Sequence, residues 1–202
     1  MPNQPSPENQ VGTRDRLIGA MLEALGTRGF HGVGISELLS RAHAPKGVLY
    51  HHFPGGKAEL AVAAIDTVVG HITATLESLF ARQGDPVKAL TLWMKDAQAT
   101  LLGSGCDRGC PLATIALEST AEDTAIREAV ARGFAAIRDT LKRALVASGL
   151  DAQRAARLAS LIVSAYEGGL IQARVAGSGR PLQDTTTMLL DTLDGLLTKS
   201  RS

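Results

Sequence analysis

Residues 34–60 read GISELLSRAHAPKGVLYHHFPGGKAEL, and their pattern decides the fold. Ile35, Leu38, Leu39 and Ala42 fall on one face of a short helix. His43-Ala44-Pro45 then ends it, because the residue before a proline is pushed out of the α region. Pro45, well suited to a first helical position, opens a further short helix to about His52, and Phe53-Pro54-Gly55-Gly56 is a turn. Two short helices across a tight turn, with a supporting helix before and a long one after, are the helix-turn-helix plan, whose second helix enters the major groove. Between Leu38 and Ala58 lie Arg41, Lys46, Lys57, His43, His51 and His52, and no acid. DNA phosphates need such a face, since releasing their counterions supplies most of the affinity. Tyr50 and His51, at the end of the short helix, can reach phosphates or thymine methyls. Lys57 sits in the first turn of the next helix, whose free N–H groups also attract phosphate. A small helical subdomain with solvated bases is the alternative reading of the same charges.

Working outward, residues 1–12 read as a disordered arm. Leu17, Ile18, Met21, Leu22 and Leu25 mark a first helix from Thr13, stopped by Gly26 and Gly29. A long fourth helix carries Leu60, Ala64, Val68, Ile72, Leu76 and Leu79. A fifth covers about 86–102, a sixth runs from Pro111 to about Ala121, and a seventh shows Ile126, Val130, Phe134, Ile137, Leu141 and Leu145. The eighth, about 152–176, has an apolar stripe broad enough to meet partners on two sides, and a ninth presents a leucine stripe from Leu182. No strand-like alternation interrupts them. Ala and Leu make up 57 of 202 residues and aromatics only 3%, which agrees with an all-α chain of nine helices. The expected organisation is an arm (1–12), a helix-turn-helix head (13–58) and a larger helical body (59–202).

From Gly29-Phe30 through Leu60, and most closely over Pro45-Lys46-Gly47-Val48-Leu49-Tyr50-His51-His52-Phe53, the chain resembles the tetracycline-repressor (TetR) family of one-component bacterial regulators. The extra glycine of Phe53-Pro54-Gly55-Gly56-Lys57 and the later Arg108-Gly109-Cys110-Pro111-Leu112 resemble the subgroup that includes the LmrA and YxaF drug-resistance repressors. The resemblance implies a DNA-binding regulator, most often a repressor that dimerises on a palindromic operator and is released by a small, largely apolar effector. By it, the recognition helix is 45–51, opened by Pro45. Lys46, Gly47, Val48, Tyr50 and His51 face DNA, and Lys57 contacts phosphate. Where the family usually has Thr or Ser, this chain has Val33 and Gly34, and Ser36 is the substitute contact. His43 stands in a turn position usually held by glycine and must tolerate a positive φ, which histidine sometimes does.

The same resemblance implies a ligand cavity between helices five and eight, and a dimer built from helices eight and nine. Cavity candidates are Trp93, Met94, Ala97, Leu101, Thr114, Leu117, Glu118, Phe134, Ile137, Leu141, Tyr166 and Glu167: apolar walls with a few polar groups. Each reads equally as core. Glu118 and Glu167 both interrupt apolar helices, and a buried carboxylate needs a partner, whether a cationic or polar ligand, an internal arginine or solvent. Dimer candidates are Leu158, Ile162, Ala165, Gly169 and Ala173 on helix eight, with Leu189, Leu193, Leu196 and Leu197 on helix nine. Packing within one subunit is the alternative. A two-fold dimer would set two recognition helices ~34–36 Å apart, in successive major grooves.

The formal charge of +1 excludes a uniformly basic, histone-like protein without excluding a local basic face. Two cysteines, Cys106 and Cys110, exclude a disulfide scaffold. Cys110 precedes a helix start, where a thiolate is favoured, so a redox-responsive regulator is an alternative. A structural zinc wants four ligands, and neither metal nor cofactor is expected. No nucleophile elbow, phosphate-binding loop or dinucleotide fingerprint points to a helical enzyme. Residues 1–10 lack the apolar core of a signal peptide, and the strongly apolar run 158–166 is far short of the roughly 20 residues of a membrane span. A soluble, cytoplasmic chain without membrane partners is the expectation.

Overall fold

The computed structural model describes residues 12–201; of the expected arm, all but Gly12 lies outside the described residues. The protein is all-helical. Nine helices and no strand occur among the described residues: α1 (Thr13–Thr27), α2 (Ile35–Arg41), α3 (Val48–His52), α4 (Gly56–Gln83), α5 (Pro86–Gly103), α6 (Pro111–Glu118), α7 (Thr124–Ala147), α8 (Ala152–Ala176) and α9 (Arg180–Arg201).

Local chemistry sets the ends. The Asp85 carboxylate caps α5 by accepting from the N–H groups of Val87 (2.8 Å) and Lys88 (3.4 Å), and Asp151 caps α8 by accepting from Gln153 (3.1 Å) and Arg154 (2.9 Å). α2 has no such cap: Gly34 stands at its N-cap with no side-chain bond. Two expected boundaries move. The recognition helix begins at Val48 rather than Pro45, because Gly47 takes φ +94°, a left-handed conformation that only glycine adopts freely. α6 ends at Glu118, short of Ala121, where Ser119 turns extended and the Asp123 carboxylate binds the N–H and hydroxyl of Thr120. His43 takes φ +47°, the turn geometry its position demands.

One continuous core runs through the molecule. In the head, Leu17, Met21 and Leu25 of α1 meet Leu38 of α2, Leu49 of α3 and Phe53, all fully buried. α4 carries that core into the body: it packs on α1 at one end and along α7 and α5 at the other. α7 in turn packs on α8, and α8 on α9. The expected boundary at 58/59 therefore falls inside a single 28-residue helix. By length and composition α4 is also apolar enough to cross a membrane, with a window of mean hydropathy 1.3; here Leu60, Ala61, Ala64, Ile65 and Leu76 are buried against its neighbouring helices.

Candidate nucleic-acid interface and ligand cavities

The head presents one polar surface around the α2–α3 turn. Ser36, Pro45, Lys46, Gly47, Tyr50 and His51 are exposed and Val48 is half-buried, whereas Leu49 and Phe53 anchor α3 from below. Tyr50 is 57% exposed, although its ring edge lies over Gly56. The acid-free run of sequence is not acid-free in space. Arg41 is held by Glu23 (2.8 Å) and Glu37 (3.0 Å), and Glu37 also pairs with Arg28, whose hydrogen bond holds its carboxyl below the usual range. Lys57, expected to contact phosphate, lies 4.4 Å over the Phe30 ring, half-buried, with burial drawing its pKa down and Glu118 pulling the other way. Lys46 alone of the three bases has no ion pair or ring contact among the described residues.

Sequence reasoning missed how the head is held. At the end of α6, one carboxylate oxygen of Glu118 accepts from the backbone N–H groups of Phe30 (2.6 Å) and His31 (3.2 Å). That supplies the internal partner that the sequence left open for Glu118. Gly29 makes the approach possible: it takes φ +78°, and a Cβ built there would fall inside the Glu118 carboxylate. Two further bonds tie the end of α1 to the body: Gly109 N–H donates to the Gly26 carbonyl (2.8 Å), and Arg174 donates to the Thr27 carbonyl (2.9 Å). His31 also approaches Asp123 at 3.9 Å.

Two cavities flank this clasp. The first, about 500 Å³, lies between α1, α4, α5, the 108–111 segment and α8, and takes in Trp93, Ala97, Leu101 and Tyr166 of the expected set. Its floor is the Trp93–Tyr166 pair, with ring centres 4.5 Å apart. Leu22 and Glu23 of α1 form one wall, a contribution from the head that no periodicity signalled. The second, about 470 Å³, lies between α6 and α8 and takes in Thr114, Leu117 and Glu118. Met94, Ile137 and Leu141 line neither; they are buried core, because α5 and α7 turn those faces toward packed helices. Phe134 packs against the same core. Glu167 lines neither as well, but stands beside Cys110 and Tyr166, and its Oε2 is buried without a hydrogen-bond partner.

Burial lifts the Glu167 carboxyl to about 7. Since its folded pKa lies above the unfolded value of about 4.3, the native state binds an extra proton between the two, and stability falls as pH rises through that window. Glu167→Gln removes the charged form. We expect it to be more stable than the parent by up to about 3 kcal/mol near pH 8 and indistinguishable near pH 4, as thermal melts at the two pH values will show.

Two family models match the chain: one described as bacterial regulatory proteins, tetR family, over residues 17–64, and one as transcriptional regulator LmrA/YxaF-like, C-terminal domain, over residues 86–188. The chain belongs to the TetR family. The HTH-type transcriptional regulator LmrA of Bacillus subtilis is 24% identical over 181 residues, spanning 90% of this chain and 96% of LmrA. An HTH-type transcriptional regulator of Mycobacterium tuberculosis is 31% identical over 176 residues, spanning 85% and 89%. The crystal structure of a TetR transcriptional regulator from Legionella pneumophila shares the fold with a TM-score of 0.81 at 23% identity, covering 91% of this chain and 98% of that one. The protein is thus a DNA-binding transcriptional regulator with an LmrA/YxaF-like C-terminal domain, and not an enzyme.

Within this TetR-family chain, the residues expected at a dimer contact are covered to different degrees within the single subunit. Leu158, Ile162, Ala173, Leu189, Leu193 and Leu197 are buried in the subunit, Gly169 packs on Leu182, and Ala165 and Leu196 are half-covered. They close α8 on α7 and α9, which was the alternative reading. The broad apolar stripe of α8 is two stripes, and the outward one runs through Leu161, Ser164, Gly168, Ile171 and Val175, at alternating steps of three and four.

The cysteines serve as packing, and the redox alternative loses support. Both are free and buried. Burial, reinforced by the neighbouring Glu167, drives the Cys110 thiol far above its ordinary value, the opposite of what a reactive thiolate needs.

Proposed function

We propose that this TetR-family regulator is a repressor that binds a palindromic operator as a homodimer and is released when a small effector enters the first cavity. Residues 13–58 act as the reading head and 59–202 as the sensor and dimerisation body, working on chromosomal DNA in the cytoplasm. The observation that carries the reading is the first cavity itself, because α1 of the head forms one of its walls while α5 and α8 of the body form its floor. A ligand there touches both units at once. A ligand shifts a conformational equilibrium only by its differential affinity for the two states, and a site shared by head and body gives that difference directly. Operator and effector then weaken each other's binding reciprocally.

On the head, Lys46, Tyr50 and His51 with the exposed backbone at Gly47 make the DNA contacts, and Ser36 a phosphate contact. The dimer forms on the outward α8 stripe of Leu161, Gly168, Ile171 and Val175, joined by Met188 of α9. Leu161, Ile171, Val175 and Met188 are 50, 44, 84 and 68% exposed in the single chain, an apolar run of the kind that marks interaction surfaces.

The test is operator binding by Lys46→Ala and Tyr50→Ala. Lys46 is unpaired and Tyr50 projects from α3, so neither supports the core. Each substitution should weaken binding about tenfold or more, and Lys46→Ala should also flatten the salt dependence by about one unit of log-log slope. Thermal melts should stay within about 2 °C. Gel shifts unchanged for both variants would remove α3 from the interface.

A further inference from the structure

Resting on the reading of the first cavity as the effector site, we propose that it takes a planar aromatic cation, with its ring on the Trp93–Tyr166 pair and its positive charge between Asp96 and Glu167. Trp93 and Tyr166 stack 33° from parallel at 4.5 Å, so each shields one face of the other and the stack adds an electron-rich aromatic wall to the cavity; π faces attract cations. Both carboxylates border Tyr166: Asp96 from the cavity lining, and Glu167 from beside Tyr166 and Cys110 in the cavity wall. Asp96 lines the cavity without an ion pair among the described residues, and both Asp96 and Glu167 act on the Tyr166 hydroxyl. Glu167 Oε2 is a buried side-chain oxygen with no partner, and its neighbours Tyr166 and Cys110 are both cavity walls. Cys110 bonds to the carboxylate, but a desolvated Oε2 without a donor of its own is costly, and a ligand N–H or ammonium relieves it. Arg108 and His71, the cationic and imidazole side chains in the lining, are exposed and form no ion pair with Glu167 among the described residues. Glu23, the remaining acid there, is engaged by Arg41.

The experiment is calorimetric titration of the full chain with three probes on one ring system: 1-naphthylmethylammonium, 1-naphthylmethanol and 1-naphthoate. The ammonium should bind about tenfold or more tightly than either of the others near pH 8. Glu167→Gln and Asp96→Asn should each remove most of that preference while leaving the alcohol within about twofold. Asp96 is exposed, so its variant reads out even if Glu167→Gln repacks. Ammonium binding should also strengthen from about pH 6 to about pH 8 as Glu167 ionises, with proton release, and this trend should vanish in Glu167→Gln. Tyr166 and Cys110 are held protonated by burial across that range; His71→Gln removes the imidazole in the lining and should keep the trend. Tightest binding by the naphthoate, or no binding by any probe at millimolar concentration, overturns the proposal. Ammonium binding without release of operator DNA upholds the ligand class and overturns the effector role; release by naphthoate alone does the reverse.

Discussion

Gly29→Ala should lower stability by about 3–5 kcal/mol and detach the reading head from the body. Two costs combine. Alanine at φ +78° costs about 1 kcal/mol in backbone strain, and its Cβ occupies the place of the Glu118 carboxylate. The carboxylate must leave, and a charged acceptor is lost that contributes about 1.5–3 kcal/mol to the short Phe30 bond and about 0.5–1 kcal/mol to the longer, exposed His31 bond. For a chain of this size the melting point should drop by about 10 °C. Operator affinity should fall with it, since the same clasp orients the end of α1, which packs on α2 of the reading head. A double-mutant cycle separates the clasp from the strain. In a Glu118→Ala background the acceptor is already gone, so Gly29→Ala should then cost only about 1 kcal/mol. Equal costs in both backgrounds would show that the glycine serves its own turn and not the clasp.

Val175→Arg should convert the proposed dimer to a monomer and weaken operator binding by about 10²–10³-fold. Val175 is 84% exposed at the end of the outward α8 stripe, so an arginine there costs the folded monomer little. Across a two-fold axis the change is doubled, placing like charges opposite each other in a contact that excludes water. Each head then binds its half-site alone, without the effective concentration that the second head provides. Sedimentation equilibrium reports the oligomer and gel shifts report the affinity. A variant that remains dimeric with parental operator affinity would move the interface away from this stripe.

Element count and type were legible in the sequence because the helical period and the glycine and proline stops are local signals. The faces were not. On α8, the stripe through Leu158 and Ile162 and the stripe through Leu161 and Val175 are both apolar, and only the placement of α7 and α9 decides which is buried. The basic run failed for a related reason: Glu23 and Glu37 come from outside it, one on another helix, and take up Arg41. Glu118 drew notice as an acid in an apolar helix, but its partners lie 88 and 87 residues away, beyond any periodicity. The cavities were half legible, since Trp93 and Tyr166 come from the body, whereas α1 joins them only through tertiary packing.

Selection of binding sites from random duplex DNA, followed by footprinting of the winner, tests the proposed function most directly. The expected footprint is two half-sites related by two-fold symmetry and centred about one helical turn, or a small multiple of it, apart. Protection should be lost in Lys46→Ala and Tyr50→Ala and in the monomeric Val175→Arg. An unsymmetrical single site, protected equally by the parent and all three variants, would contradict both the α3 interface and the dimer.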